Sequence, residues 1–333
     1  MNKTKVAIVG GSGFVGSSLA RHFVTSFEVR ILDNRSVPRD LQGSVSFKQC
    51  DVRNYDEVEK GLRDVELVIH TAIVQIPAIN EKRRLGYEVN IVGTQNVCEA
   101  VSRVPSLKGL ILVGSWHVIG ERGLNGVINE EFGFRPDKVE DRARLYALCK
   151  VGQETITRVF DQMSEKIYGV IRMGTMLGNG MPETTAASIF IKNGLEGKPL
   201  TPYKHSMYRP MLYVDIVDAC KAFEAYARKI IHNEMRKDGN LSPIVNVYWP
   251  KPVTILELAE MVRDAIVKHS NGKIKPALEV IDKGEPPLFT PEDKNQIRLD
   301  ISRAKNLLGL DKLTNPSETI EKLVKDKIEG KEV

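Results

Sequence analysis

Three side chains in this sequence have the types and spacing for proton chemistry on an alcohol. They are Ser115 in LVGSWHVIG (112–120) and the pair Tyr146 and Lys150 in RLYALCKVGQE (144–154). Four residues apart on a helix, the phenol and the ammonium stack on one face. A phenol in water loses its proton only near about pH 10, and a neighbouring cation lowers that threshold, which makes Tyr146 a candidate general base. Ser115 can hydrogen-bond the same substrate oxygen and hold it in line. Ser115 and His117 together invite a hydrolase reading, and it fails. Gly114 precedes Ser115, but no glycine stands two places to either side, so the G-x-S-x-G elbow is missing. Residues i and i+2 on a strand also share a face without converging on one proton. His117 is therefore expected to line a substrate pocket or simply to pack.

The elements that must position these groups begin with KVAIVGGSGFVGSSLARHF (5–23). A four-residue apolar run suits a buried parallel strand. Gly10, Gly13 and Gly16, with Phe14 and Val15 between them, follow it and open a helical stretch. Such a loop lets backbone N–H groups and a helix N-terminus approach a pyrophosphate. The next apolar run, EVRILDNRS (28–36), ends at Asp33 and Asn34. A carboxylate there accepts both ribose hydroxyls of NAD and repels the extra phosphate of NADP, while Arg35 leaves the NADP alternative open. VSFKQCDVRN (45–54) brings Asp51 and Val52 to a third strand end, with Asp51 placed to meet an adenine or merely to cap a loop. VELVIHTAI (65–73) and LKGLILVGS (107–115) add a fourth and a fifth strand. Strands that alternate with helical segments imply a parallel sheet covered on both faces.

The totals narrow the class. The chain has 333 residues, 42% of them hydrophobic, and a net charge of +5 with its basic residues interspersed among acids. No basic block with aromatics points to nucleic acid. Cys50, Cys98, Cys149 and Cys220 are widely spaced, so neither a disulfide framework nor a metal site is expected. The apolar run in MNKTKVAIVGG is too short for a signal peptide, and no run approaches a membrane span. A cytoplasmic protein is the expectation.

These segments together resemble the extended short-chain dehydrogenase/reductases, of the NAD-dependent epimerase/dehydratase kind that acts on nucleotide sugars. The resemblance rests on GGSGFVG, Asp33, CDVRN, HTA (70–72), NIVGT (90–94), LVGSWHVIG and YALCK. Further along it includes IRMGTMLGNG, GKPL (197–200), YRPMLYVDIVDA (208–219) and RLDISRAKNLLGL (298–310). It implies an α/β fold, a doubly wound parallel sheet of the NAD-binding Rossmann kind with a second, smaller mixed α/β substrate lobe. The Rossmann part is expected at 1–172 plus 209–250 and the lobe at 173–208 plus 251–333. It implies Ser115, Tyr146 and Lys150 as catalytic residues. NAD is expected against Gly10, Gly13, Phe14, Val15, Gly16, Asp33, Asn34, Asp51, Val52, Thr71, Ala72, Asn90, Tyr146 and Lys150. The substrate is expected against Ser115, Trp116, His117, Tyr146, Thr175 and Arg209, with Arg209 gripping a nucleotide diphosphate.

The implied reaction is epimerisation of a nucleotide sugar, on the pattern of UDP-glucose/galactose 4-epimerase, through transient hydride transfer to NAD and a keto sugar. Ser-Trp-His at 115–117 lacks the acidic residues that dehydratases carry there. Thr175, Thr290 and Ile119 depart from the nucleotide-sugar pattern, with Lys204 or Lys294 as candidate substitutes for a missing phosphate contact. Those departures keep an oxidoreductase of apolar alcohols open, of the 3β-hydroxysteroid dehydrogenase/dihydroflavonol reductase type. A non-catalytic dinucleotide-binding regulator is a third alternative. Family members commonly form homodimers through two helices per chain, here expected near 88–103 and 143–161.

Overall fold

The computed structural model describes residues 3–331; residues 1–2 and 332–333 of the expected division lie outside that range. Seven short runs become the strands of one sheet: β1 Lys5–Val9, β2 Glu28–Asp33, β3 Ser46–Gln49, β4 Leu67–His70, β5 Gly109–Ser115, β6 Ile167–Met173 and β7 Ile244–Val247. Their order is β7-β6-β5-β4-β1-β2-β3, and every pairing is parallel. β1 has β2 on one side and β4 on the other, so the strand order reverses there. A crevice opens at that switch point, beyond the carboxyl ends of the strands.

The near-continuous apolar strands explain how both faces are covered. Along β1, Val6 and Ile8 point into one hydrophobic cluster while Ala7 and Val9 point into another, which is the two-residue alternation of a strand. On the first face lie α1 (Phe14–Phe23) and a long helix at Ile216–Ile231. On the second lie α2 (Tyr55–Leu62), α3 (Gly93–Arg103) and part of α4 (Arg144–Gln162). α2 starts where Asn54 accepts the backbone N–H groups of Asp56 and Glu57, a side-chain cap that satisfies otherwise orphaned donors. The stretch before α3 forms a single π-helical turn, Glu88–Val92, instead of continuing as regular helix.

The remainder of the chain is mixed. Thr175–Leu177 pairs in parallel with Tyr213–Asp215, Pro210–Met211 pairs antiparallel with Val253–Thr254, and Gly126–Ile128 pairs in parallel with Ile297–Leu299. Helices Ile255–His269 and Pro316–Ile328 pack beside them. Their buried Leu258, Val262, Ile320 and Leu323 belong to the same hydrophobic cluster as Val6 and Ile8. The added segments therefore share a core with one face of the sheet. Among the described residues, no helix is long and apolar enough to cross a membrane.

Candidate active site

The glycine loop joins β1 to α1 by the close approach that only glycine permits. Gly10 has φ +85°, and a Cβ at Gly16 would lie 2.3 Å from the Gly10 carbonyl oxygen. α1 begins at Gly13 with no side-chain cap and no acidic residue in its first turn. Its leading N–H groups and dipole thus face the crevice unneutralised, which suits an anion. Asp33, at the end of β2, is buried, and its carboxylate accepts the backbone N–H of Ser12 and of Arg35, each at 2.9 Å. Two lone-pair directions remain for a diol. The exposed Arg35 guanidinium stands 3.6 Å away.

A cleft of about 420 Å³ is lined by Gly10, Gly13, Phe14, Val15, Gly16, Asp33, Asn34, Asp51, Val52, Thr71 and Ala72. Its uncapped helix end and strand-end carboxylate fit a dinucleotide. Asp51 also pairs with Arg53 at 2.5 Å, and the Arg53 hydrogen bond holds its carboxyl below the usual range. Asn90 does not line this cleft. It is fully buried, and its amide accepts the Val74 N–H at 2.7 Å and donates to the Val74 carbonyl at 3.1 Å. Asn90 therefore braces the cleft wall, a role that its sequence motif alone did not distinguish from ligand contact.

The catalytic candidates sit two strands away from β1, at the end of β5. The lining of the cleft stops at Thr71–Gln75 and Ala78 on that side and does not reach them. Ser115 is the last residue of β5 and opens a one-turn 3-10 helix, Trp116–Ile119. Lys150 is buried and donates to the Val113 carbonyl of β5 at 2.8 Å, which fixes α4 against that strand. Its Nζ is 6.0 Å from the centre of the Tyr146 ring. Burial pushes the Lys150 ammonium down to about 7 and the Tyr146 phenol up to about 12, with the Ser115 hydroxyl opposing the latter shift. The expectation that lysine lowers the phenol is thus not met by the protein alone, because each group's own desolvation is the largest influence on it.

Four further expectations meet a different geometry. Trp116 is buried, and its indole N–H donates to the Thr175 hydroxyl at 3.1 Å. That pair ties the turn after β5 to the start of the Thr175–Leu177 strand and takes the indole N–H away from any ligand. Arg209 is no free phosphate grip. It is buried, 2.6 Å from Glu140 and 3.8 Å from Glu121. Lys204 and Lys294 are also ion-paired, with Asp282 and Glu257. Finally, Ser115 and His117 do converge: Ser115 Oγ is 3.2 Å from His117 Nδ1. The strand rule fails here because the chain leaves β5 at Ser115, so His117 lies on a helical turn rather than on a strand.

Glu121 and Glu140 were missed by sequence reasoning. Glu121 carried a weak signal, standing four residues after His117, whereas nothing local marked Glu140. Gln153, one turn after Cys149 and Lys150, was also missed. Its amide donates to the Thr94 hydroxyl at 2.9 Å, and that hydroxyl contacts His70 Nε2 at 2.9 Å. The three form a buried polar network behind the site.

Comparison with known proteins places this geometry. UDP-glucuronic acid decarboxylase 1 of Danio rerio is 25% identical over 333 residues, covering 97% of this chain and 72% of that protein. A solved structure described as MoeE5 in complex with UDP-glucuronic acid and NAD superposes with a TM-score of 0.78 at 19% identity, covering 98% of this chain and 99% of the other. The UDP-glucose 4-epimerase of Thermus thermophilus, solved with NAD, gives 0.75 at 24% identity, covering 98% and 99%. The family model described as "NAD dependent epimerase/dehydratase family" matches residues 6–237. That match runs from β1 through the glycine loop, Ser115, Tyr146 and Lys150 to Arg209, and by it the chain belongs to this family of NAD-dependent enzymes, of the extended short-chain dehydrogenase/reductase type.

Proposed function

We propose that the protein is a nucleotide-sugar epimerase, on the pattern of UDP-glucose/galactose 4-epimerase, working through a keto-sugar intermediate. The observation that carries this reading is the meeting of Ser115, Tyr146 and Lys150 at the end of β5, beside the strand ends that form the glycine cleft. Bound NAD supplies a hydride acceptor and, on the return step, the donor. The chain's own groups handle the proton. Ser115 holds the reacting hydroxyl, and Tyr146 removes its proton and later returns it. Lys150, buried at the end of β5, adds positive charge when protonated and so helps the phenol ionise. Trp116 stands where elimination chemistry would want an acid, which favours epimerisation over dehydration.

The proposal takes the UDP-sugar substrates from the names of the relatives and structural neighbours. It includes the division into a Rossmann part at 1–172 plus 209–250 and a substrate lobe at 173–208 plus 251–333. It also includes a homodimer through α3 and α4. Val92, Leu148, Val159 and Met163, on or beside those helices, are exposed, and helices that leave large apolar side chains in water are candidates for burial against a partner. A second reading, decarboxylation of a nucleotide-linked uronic acid, is favoured by the curated relatives and starts with the same oxidation.

The test is to incubate purified protein and NAD with UDP-glucose, UDP-galactose and UDP-glucuronic acid and to identify products by NMR. The expected product is the 4-epimer, with turnover reduced about 10²- to 10⁴-fold in Tyr146→Phe. Release of carbon dioxide from UDP-glucuronic acid would select the second reading. Oxidation of apolar alcohols alone would replace both readings, and no turnover of any substrate would point to a regulator.

A further inference from the structure

His117 was expected only to line a pocket or to pack, yet its ring makes a directed set of contacts. On one side, Nδ1 lies 3.2 Å from Ser115 Oγ. On the other, Nε2 lies 3.3 Å from Glu121 Oε1, a contact too poorly aligned to count as a hydrogen bond. That carboxylate oxygen is buried and has no hydrogen-bond partner among the described residues. The ring also meets Tyr146 edge-on, with centroids 5.6 Å apart and planes at 90°. The charged and titratable groups around it are Glu121 just after its own turn, Tyr146 from α4, and Arg209 and Glu140 behind Glu121.

The protonation pattern follows from what each atom can do. Burial pushes the Glu121 carboxyl up, but Arg209 and then His117 outweigh it and hold the carboxyl down at about 2. A carboxylate only accepts, so the approach of Glu121 Oε1 favours the tautomer with its proton on Nε2, and in that neutral tautomer Nδ1 is an acceptor. Ser115 Oγ already accepts the backbone N–H of His117 at 3.2 Å. Its own proton is therefore free to point at Nδ1, and its remaining lone pair is free for Tyr146 or a substrate hydroxyl.

We propose that His117 is a positioning residue and proton store for this site, receiving through Ser115 the proton that Tyr146 gives up. The step balances without a further reactant. The substrate O–H proton moves to the Tyr146 oxygen as the phenol proton moves to Ser115 Oγ, and the Ser115 proton moves to His117 Nδ1. The product is an imidazolium facing an ionised carboxylate, and the return step reverses each transfer. No heavy-atom bond is made or broken in the relay. This arrangement answers the difficulty that burial raises Tyr146 and depletes the charge on Lys150 in the protein alone. A store of this kind acts through another group. It is thus a different function from substrate contact.

The inference rests on the proposed function for the reaction it serves, but its first test needs no substrate. In ¹⁵N-labelled protein, long-range ¹H–¹⁵N spectra across pH 5–9 report the tautomer of each imidazole, and His117→Gln identifies the His117 signal by its loss. The expected result at alkaline pH is a bare Nδ1 with the proton on Nε2, giving way to a mixture in Glu121→Gln. A proton on Nδ1, or a tautomer indifferent to Glu121→Gln, would overturn the relay. The second test follows NADH absorbance in single turnovers with UDP-glucose. His117→Gln is expected to slow oxidation about a hundredfold and to abolish the fall in rate that appears at low pH, where a protonated ring can accept nothing. An unchanged pH profile in a variant of wild-type melting temperature also overturns the relay. If no nucleotide sugar is oxidised, the proposed function fails while the tautomer still decides the relay.

Discussion

At the scale of single residues, the glycine loop gives the sharpest prediction because its geometry admits no side chain. A methyl at Gly16 would meet the Gly10 carbonyl oxygen at 2.3 Å and the Gly11 Cα at 2.7 Å. Both are backbone atoms, so the strand-to-helix joint must open for the methyl to fit. Gly16→Ala is expected to cost about 1–3 kcal/mol of stability and, by displacing the N-terminus of α1, to weaken NAD about tenfold or more. Thermal melts and an NAD titration followed by calorimetry check the two parts separately. A variant that melts normally and binds NAD as the wild type does would show that the loop is not the pyrophosphate cradle. Asn90 illustrates the opposite outcome at this scale. Its type and motif suggest ligand contact, yet its side-chain carbonyl and amide nitrogen are both engaged by the Val74 backbone.

At the scale of elements, Arg209 joins three segments that are far apart in sequence. It precedes the Pro210–Met211 strand, Glu121 follows the turn after β5, and Glu140 precedes α4. Removing one partner from a buried ion cluster leaves uncompensated charge, at a cost of about 3–5 kcal/mol. Arg209→Met should therefore lower the melting temperature of the protein without any nucleotide, as an ordinary surface phosphate ligand would not. The pH dependence has a definite sign. Glu121 lies at about 2 in the folded protein against an ordinary value of 4.5. Its contribution is full above 4.5 and disappears as pH falls through about 2. Denaturant unfolding at a series of pH values should show that acid loss in the wild type. In Arg209→Met the deficit should shrink as pH falls, because the stranded carboxylates take up protons. An equal deficit at neutral and acid pH would contradict this account.

At the scale of the whole molecule, the sheet places the cleft and the Ser115–Tyr146–Lys150 cluster on the same edge, and α4 belongs both to the cluster and to an exposed apolar face. Leu148 and Val159 on α4 are about half exposed, and Met163 just beyond it is more exposed still. If those side chains meet a second copy, light scattering should give about twice the chain mass of 37.3 kDa. Leu148→Glu with Val159→Glu should return the protein to a single chain and reduce turnover, since Tyr146 and Lys150 ride on the same helix. A wild-type protein of monomer mass with full activity would remove the dimer from the proposal.

Much of this architecture was legible in the linear sequence because it is encoded locally. Buried parallel strands need unbroken apolar runs, so β1, β2, β4 and β5 announced themselves. A glycine loop followed by a strand-end acid is a short-range pattern, and so are Tyr146 and Lys150, whose pairing depends only on helical periodicity. What needed the folded chain was everything set by long-range approach or by desolvation. Arg209 looked like a phosphate ligand until Glu121 and Glu140 were brought against it from remote segments. Nothing local told Trp116 that its indole would find Thr175. Tyr146 and Lys150 lie close together as helical spacing requires, but the direction in which each group shifts depended on burial, which no spacing reports. The meeting of Ser115 with His117 turned on the residue at which β5 ends. Local spacing chose the chemical groups; packing decided their charge states and their partners.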